Sequence, residues 1–165
     1  MTEAETGNGS PATRERVDIV TPEPSSLPGL RAASPALQRV ALDLHARGIL
    51  VLRAARVRGR AVGHMSLYLS VSSAIAPLLG ASPAIGDFLA TRAVSLVTNL
   101  EVDPAHRRQG IASALVADAA HTARSAGART LAALVEPASP STAFYQSLGF
   151  DRHTALAESL WLLTL

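Results

Sequence analysis

The sequence of 165 residues contains no cysteine. This absence excludes a disulfide, a thiol nucleophile and a zinc site built on thiolates. Lysine is absent as well, so all 15 basic residues are arginine, and the formal net charge is only +2. Arginine is suited to a bidentate grip on phosphate groups, although a codon bias toward alanine and arginine would give the same composition.

The scarcity of aromatic residues and of long apolar runs argues against nucleic-acid and membrane partners. Aromatic residues make up 4% of the chain, and the arginines are scattered, so no basic stripe with interleaved aromatics indicates nucleic-acid binding. A membrane span needs about 20 unbroken apolar residues, and proline and glycine interrupt the apolar stretch 70–92. Residues 1–16 are polar and acidic, unlike a secretory signal. We therefore expect a cytoplasmic protein with neither a nucleic-acid nor a membrane partner.

The length and the 48% hydrophobic content predict one globular domain over residues 16–165, after an N-terminal tail 1–15 that we expect to be disordered. Apolar patterns predict strands and helices in an α/β (α+β) arrangement. One helix should begin with Ser34 as its N-cap and Pro35 in its first turn. The predicted strands cover residues 17–20, 49–56, 61–69, 96–102, 130–136 and 160–165, and two predicted helices cover residues 34–47 and 140–148.

The stretch 96–127 organises the second half of the chain. It predicts a buried strand that Asp103 and Pro104 end, then a basic turn, then a helix that Gly127 closes. The first four N–H groups of a helix have no partner within it and carry the positive end of its dipole. Gly110 and Ala112 leave that backbone accessible to a bulky anion. With two arginines beside it, the turn suits a pyrophosphate.

Residues 70–92 form the least regular stretch, and two interpretations of it remain open. In the first, it is a flap over a substrate site, with Ile85, Phe88 and Leu89 as its apolar lining, since long loops in compact domains are often functional. In the second, it contains a short helix that only packs on the sheet.

Two motifs together resemble one family. Arg107-x-x-Gly110-x-Ala112, preceded by Val102-Asp103-Pro104, is similar to the acyl-coenzyme A loop of GNAT-type N-acetyltransferases. The run from Phe144 to Phe150, FYQSLGF, resembles a segment near the end of the same fold. The resemblance implies the GNAT fold, a mixed, mostly antiparallel central sheet that is splayed between its fourth and fifth strands and flanked by helices. It also implies acetyl-CoA as cosubstrate and no metal.

The resemblance carries specific roles onto this chain. Tyr145 corresponds to a tyrosine that often protonates the departing thiolate, and Glu101 is the candidate general base, with Glu136, His64 and His106 as lesser candidates. The exposed backbone of the strand is expected to pair with the pantetheine arm, and the turn to hold the pyrophosphate. The implied coenzyme-binding residues are Leu100, Val102, Arg107, Arg108, Gln109, Gly110, Ile111, Ala112 and Ser113.

Two positions depart from the family pattern. Ala138 stands where many relatives have an asparagine that contacts the pantetheine arm, which weakens one coenzyme contact. Ala133 stands where some peptide-acetylating relatives have a glutamate. Three functions stay open, namely a small-amine acetyltransferase, which we favour, a protein or peptide acetyltransferase, and a non-catalytic acyl-CoA sensor. A homodimer is compatible with each of them.

Overall fold

The computed structural model describes residues 16–27, 35–154 and 160–165. The expected tail and the predicted N-cap Ser34 lie outside these residues. In the described part of the chain, the strands are β1 (Val17–Val20), β2 (Leu50–Val57), β3 (Arg60–Tyr68), β4 (Val94–Val102), β5 (Thr130–Leu134), β6 (Asp151–Arg152) and β7 (Leu160–Thr164). The α-helices there are α1 (Pro35–Ala46), α2 (Pro83–Ala90), α3 (Ile111–Ser125) and α4 (Ser141–Ser147).

The seven strands form one mixed sheet in the order β1-β2-β3-β4-β5-β7-β6. All neighbours are antiparallel except β4 and β5, which are parallel and are joined through α3. A parallel pair needs such a crossover, because a tight turn cannot return the chain in the same direction. The sheet is therefore the mixed, mostly antiparallel one that the resemblance implied, which confirms the predicted fold class.

Strands β4 and β5 pair over only part of their length. The register joins Val94–Val97 of β4 to Thr130–Ala133 of β5 and goes no further. Strand β4 continues to Val102, so its last five residues have no strand partner on the β5 side. Unpaired backbone N–H and C=O groups at such an edge are available to a ligand.

A β-bulge changes the direction of side chains along β4. Thr98 lies opposite Ser66 of β3 and Glu101 lies opposite His64, so two residues of β4 face the single residue between Ser66 and His64. Asn99, one of the two, has a φ of 51°. Residues directly opposite one another share a face of a sheet, so the bulge brings Glu101 to the same face as Thr98. Simple alternation would have separated them.

Two apolar clusters cover the two faces of the sheet. One lies under α3 and α4 and includes Ile111, Leu115, Tyr145 and Phe150. The other lies under α1 and α2 and includes Leu44, Ile85 and Leu96. An ion pair of 2.8 Å between Arg53 Nε and Asp118 Oδ2 also ties β2 to α3. Helix α3 is thus fixed at its middle, and its N-terminus follows the end of the central strand β4.

Residues 70–92 pack on the sheet. They do so through Ile85, Phe88 and Leu89, the side chains that the first interpretation assigned to the lining of a flap. Ile85 and Leu89 are each only 1% exposed and lie one helical turn apart on α2, facing the second cluster. Phe88 packs against His153, with ring centroids 5.1 Å apart and the ring planes tilted by 60°. A Cβ on Gly86 would lie 2.9 Å from that of Ala76, so helix and preceding turn are in close contact. Ile85 and Leu89 are core residues and do not line a substrate site, whereas Phe88 is half-buried beside the same cluster. This agrees with the second interpretation, a short helix that packs on the sheet.

Ala138 occupies a strained conformation, with a φ of 61°. An alanine in the left-handed region destabilises the folded chain by about 1–2 kcal/mol. Glycine removes that strain, but its greater freedom in the unfolded chain offsets part of the gain. We expect Ala138→Gly to raise the free energy of unfolding by about 0.5–1 kcal/mol in denaturant titrations. Ala126→Gly, at a φ of −85°, is the control and should bring no gain. Equal effects of the two substitutions would contradict the strain.

Candidate functional site

A cleft of about 1170 Å³ opens where β4 leaves β5. Its walls come from β3, the unpaired end of β4, the turn before α3, the start of α3, and α4, so residues distant in sequence meet in it. The lining residues that matter for the chemistry are Gly63, His64, Leu100, Glu101, Val102, His106, Arg107, Arg108, Gly110, Ile111, Ala112, Ser113, Phe144 and Tyr145.

The backbone before and within the first turn of α3 forms a row of free donors. In the described part of the chain, none of the N–H groups from 108 to 113 donates to a backbone or side-chain acceptor, and the helical pattern begins with Ala114 N–H to the Gly110 oxygen at 2.9 Å. Arg108 and Gly110 both have positive φ, of 63° and 82°. These left-handed residues curl the chain so that successive N–H groups converge, an arrangement that binds anions.

Gly110 keeps this row accessible. It is the N-cap of α3, and a Cβ built on it would meet no atom within 4 Å. No side chain therefore covers the backbone at Gly110, which itself lines the cleft. Arg107 and Arg108, both exposed, add positive charge at the same place. The local geometry and charge together are those of an anion-binding site.

Side-chain hydrogen bonds hold the turn in shape. Asp103 Oδ1 accepts from the Ala105 N–H at 2.9 Å and so caps the single 3-10 turn Pro104–His106. Arg107 Nε donates to the Val102 oxygen at 3.2 Å, and Gln109 Nε2 donates to the Ala105 oxygen at 3.4 Å. The turn is thus anchored to the end of β4 by side-chain hydrogen bonds.

Tyr145 reaches the cleft from α4. It is 7% exposed, and its ring lies 5.1 Å from those of Phe144 and Phe150, edge to face with each. Burial disfavours the phenolate and raises the pKa of Tyr145 to about 12. The phenol is therefore neutral and fixed in orientation, which makes it a hydrogen-bond donor to a group in the cleft.

Glu101 and His64 form a pair on the other face of the sheet end. Glu101 Oε2 lies 3.8 Å from His64 Nε2, too far for a hydrogen bond. The Glu101 side chain is 65% exposed, whereas that of His64 is 12% exposed. His64 Nε2 is buried and has no hydrogen-bond partner in the described structure. The Glu101 carboxylate therefore faces solvent, while the His64 imidazole lies inside the end of the sheet.

A second, smaller cavity of about 220 Å³ lies on the α1 side of the sheet. His64 and Leu27 line both cavities, so the two spaces meet at the bulged end of β4. Leu78 and Leu79, from the turn before α2, contribute to its wall. The stretch 70–92 therefore does reach a cavity, but through residues other than those that the sequence indicated.

The structure brings nearly all the predicted site residues to one cleft. Of the two catalytic and nine coenzyme-binding candidates, only Gln109 is outside the described cleft lining, since its side chain turns back to Ala105. Sequence reasoning treated His64 as a lesser candidate and did not single out Thr98, because each is a lone polar residue in an apolar strand. Within residues 16–27, 35–154 and 160–165, no group of three or more metal-ligating side chains occurs, and no helix is long and apolar enough to cross a membrane.

Comparison with known proteins gives one family and one fold. A family model for the acetyltransferase (GNAT) family matches residues 21–150. A search of the curated proteins gave no significant match. A GNAT acetyltransferase from Brucella melitensis, solved with acetyl-CoA, is 18% identical, with 92% of this chain and 89% of that chain covered and a TM-score of 0.56.

Two further solved structures agree. The YhbS N-acetyltransferase of Escherichia coli, in complex with CoA, is 19% identical, with 94% of this chain and 83% of that chain covered and a TM-score of 0.59. The PaiA N-acetyltransferase of Thermoplasma acidophilum, in complex with coenzyme A, is 11% identical, with 91% and 99% covered and a TM-score of 0.62. At these identities the likeness establishes the fold alone.

Proposed function

Because the chain belongs to the acetyltransferase (GNAT) family, we propose that it transfers the acetyl group of acetyl-CoA directly to a primary amine of a small molecule. Both substrates are bound at the same time in this proposal, one in the cleft and one beside it. The thioester supplies an activated acyl group, and the residues of the chain position it, accept the amine proton and stabilise the departing sulfur.

The row of free N–H groups carries the proposal. Six successive donors from 108 to 113 without acceptors, at the N-terminus of a 15-residue helix, fit the linked phosphates of coenzyme A. Arg107 and Arg108 supply charge, and the bare Gly110 allows close approach. In the two solved relatives that hold CoA and in the one that holds acetyl-CoA, the fold is the same.

The unpaired end of β4 is the proposed site of the pantetheine arm. Leu100 and Val102 line the cleft, and no strand covers their β5 side. An amide-containing chain can pair with such an edge as an added strand does. A backbone N–H beside the bulge is placed to polarise the acetyl carbonyl, and one such preorganised donor is worth about 3 kcal/mol in other acyl transfers.

Tyr145 is the proposed donor to the departing sulfur. Its phenol is neutral because burial raises its pKa to about 12, and the edge-to-face contacts with Phe144 and Phe150 fix the ring. A fixed donor lowers the barrier only where negative charge develops, which is on the sulfur as the bond to the acyl carbon breaks.

Glu101 is the proposed acceptor of the amine proton, with His64 beside it. An alkyl ammonium must lose a proton before it can attack. The bulge brings Glu101 to the side of the sheet on which the second cavity lies. That cavity is separate from the coenzyme cleft except at His64 and Leu27, which supports a small acceptor over a peptide in an open groove.

The proposal is tested in two steps. Calorimetry with coenzyme A should give a 1:1 binding isotherm, and thiol release from acetyl-CoA should require an added amine. A panel of small amines and peptides then identifies the acceptor class. No heat with coenzyme A would overturn the proposal, whereas binding without thiol release for any amine or peptide would favour the non-catalytic sensor.

Replacing Glu101 is a specific test of the base. We expect Glu101→Gln to lower kcat about tenfold near neutral pH, since water and His64 can replace part of its role, and to leave the KM for acetyl-CoA unchanged. The decrease should shrink as the pH is raised, because more of the amine is then already neutral. The matched control is Glu136→Gln, which alters an exposed carboxylate outside the described cleft lining. Equal kcat values for wild type and Glu101→Gln would remove Glu101 from the mechanism.

A further inference from the structure

The second cavity has an apolar body and a polar end. Leucines from several elements form the body, among them Leu50, Leu52 and Leu79. Its polar lining residues His64, Ser66 and Thr98 lie on β3 and β4 next to the bulge, and His64, with Leu27, also lines the coenzyme cleft. The cavity therefore offers one end to a reacting group and the rest to an uncharged body.

The charge of the described lining limits which ligands the second cavity can hold. Among the described residues that line the cavity there is no carboxylate and no guanidinium. Tyr68, also in the lining, is 5% exposed, and burial raises its pKa, so its phenol is neutral. A ligand with a carboxylate or a second ammonium inside this space would have to leave water without gaining a counter-ion from the described lining.

Two polar atoms at the polar end of the second cavity lack hydrogen-bond partners among the described residues. Thr98 Oγ1 and His64 Nε2 are buried and make no hydrogen bond within the described structure. Buried polar atoms in native proteins are nearly always paired, so each exception asks for an explanation. A polar group of a bound ligand at this end, reached by a small side-chain adjustment, would supply the missing partner.

Resting on the proposed function, we propose that this second cavity holds the acceptor and selects a primary amine carried by one compact apolar group, with no carboxylate and no second charge. An engineered cavity of about 150 Å³ holds one benzene ring. The 220 Å³ found here has room for a ring and a two-carbon arm. The amine then lies at the His64 end, between Glu101 and the thioester.

Three probe amines test the selectivity. The probes are 2-phenylethylamine, phenylalanine, which adds only a carboxylate to it, and 1,4-diaminobutane, which replaces the ring with a second charge. We expect kcat/KM for thiol release to be at least about tenfold higher for 2-phenylethylamine than for either of the others, because a buried unpaired charge costs at least that much. Equal or reversed preference would overturn the inference.

A pair of substitutions in β4 tests whether the second cavity is the acceptor site. Thr98→Val removes a buried hydroxyl without a partner and nearly keeps the side-chain volume, so Tm should not fall, while the KM for 2-phenylethylamine should rise about fivefold. The control, Ser95→Ala, removes a buried hydroxyl that donates to the Leu69 oxygen at 3.0 Å. It should lower Tm and leave that KM unchanged.

The outcomes separate this inference from the proposed function. If the enzyme binds coenzyme A and acetylates 1,4-diaminobutane or a peptide while 2-phenylethylamine is inert, the acetyltransferase remains and the acceptor class is wrong. If Thr98→Val lowers Tm as Ser95→Ala does and leaves KM unchanged, the cavity is not the acceptor site. If coenzyme A does not bind at all, both the inference and the proposed function are overturned.

Discussion

Replacing Tyr145 with phenylalanine is expected to lower kcat about 100-fold and to change the Kd for coenzyme A by less than about threefold. The substitution removes one oxygen and leaves the ring in its contacts with Phe144 and Phe150. What is lost is therefore the donor, while the packing of α4 is retained. Steady-state thiol release and calorimetry measure the two quantities.

The raised pKa of Tyr145 limits the mechanism that this substitution tests. With a phenol pKa of about 12 and a thiol pKa near 8.5, complete proton transfer from Tyr145 to a free thiolate would be uphill by about 5 kcal/mol. Tyr145 is then more effective as a hydrogen-bond donor to a sulfur that is becoming negative than as an acid that loses its proton outright. Activity should accordingly show no loss from ionisation of Tyr145 below about pH 11.

The same pKa predicts a change in stability. A phenol whose pKa is higher in the folded than in the unfolded chain stabilises the fold below pH 10, and this contribution is lost as the pH rises from 10 through about 12. Tyr145→Phe should reduce this alkaline loss in unfolding titrations. The chain has two tyrosines, so in the variant the phenolate absorbance reports Tyr68 alone. An unchanged kcat would remove Tyr145 from the chemistry, and an unchanged alkaline stability profile would contradict its burial.

The limits of α3 and of the turn before it were predictable because their determinants are local. Asp103 and Pro104 end a strand, Gly110 begins a helix and Gly127 follows its end, and each residue acts on its immediate neighbours. The observed α3 spans Ile111–Ser125, within the predicted limits. The N–H groups of residues 111–113 are free because the helix starts there, whereas those of 108–110 depend on the turn, in which Arg108 has a φ of 63°. The start of the helix was therefore predictable from the local sequence, but the path of the turn before it was not.

The direction of Glu101 was not predictable, because it depends on a strand partner. Alternation along β4 would place Glu101 and Thr98 on opposite faces, and only the bulge against β3 brings them to one face. Asn99 tolerates the positive φ that this bulge requires, but asparagine is common in strand ends and turns and is a weak signal. The same limit applies to His64, whose role depends on what lies opposite it.

The second cavity lies beyond sequence reasoning for a related reason. Its walls come from α1, β2, β3, β4 and the turn before α2, so no single segment carries a pattern for it. The apolar character of 70–92 indicated contact with a site or a core. Only the packing of α2 shows that Ile85 and Leu89 belong to the core, while Leu78 and Leu79 reach the cavity.

Gly110→Ala is expected to raise the Kd for coenzyme A about 30-fold. A methyl group there meets no protein atom within 4 Å, and in the proposed complex it would be added to backbone that lines the cleft and that the phosphates must approach closely. Loss of one hydrogen bond to a charged phosphate costs about 2 kcal/mol, which corresponds to this factor. Calorimetry with coenzyme A and with the dephosphorylated pantetheine fragment distinguishes the phosphate contact, since only coenzyme A should lose affinity.

Gly127→Ala is the matched control at the opposite end of α3. Its φ of +89° is close to the +82° of Gly110, and a Cβ there also meets nothing within 4 Å. Both substitutions should therefore lower the free energy of unfolding by about 1–2 kcal/mol, because both place a Cβ in the left-handed region. Only Gly110→Ala should weaken coenzyme binding, since Gly127 lies outside the described cleft lining. If both variants weaken binding equally, strain in α3 is the cause, and the free N–H row does not hold the phosphates.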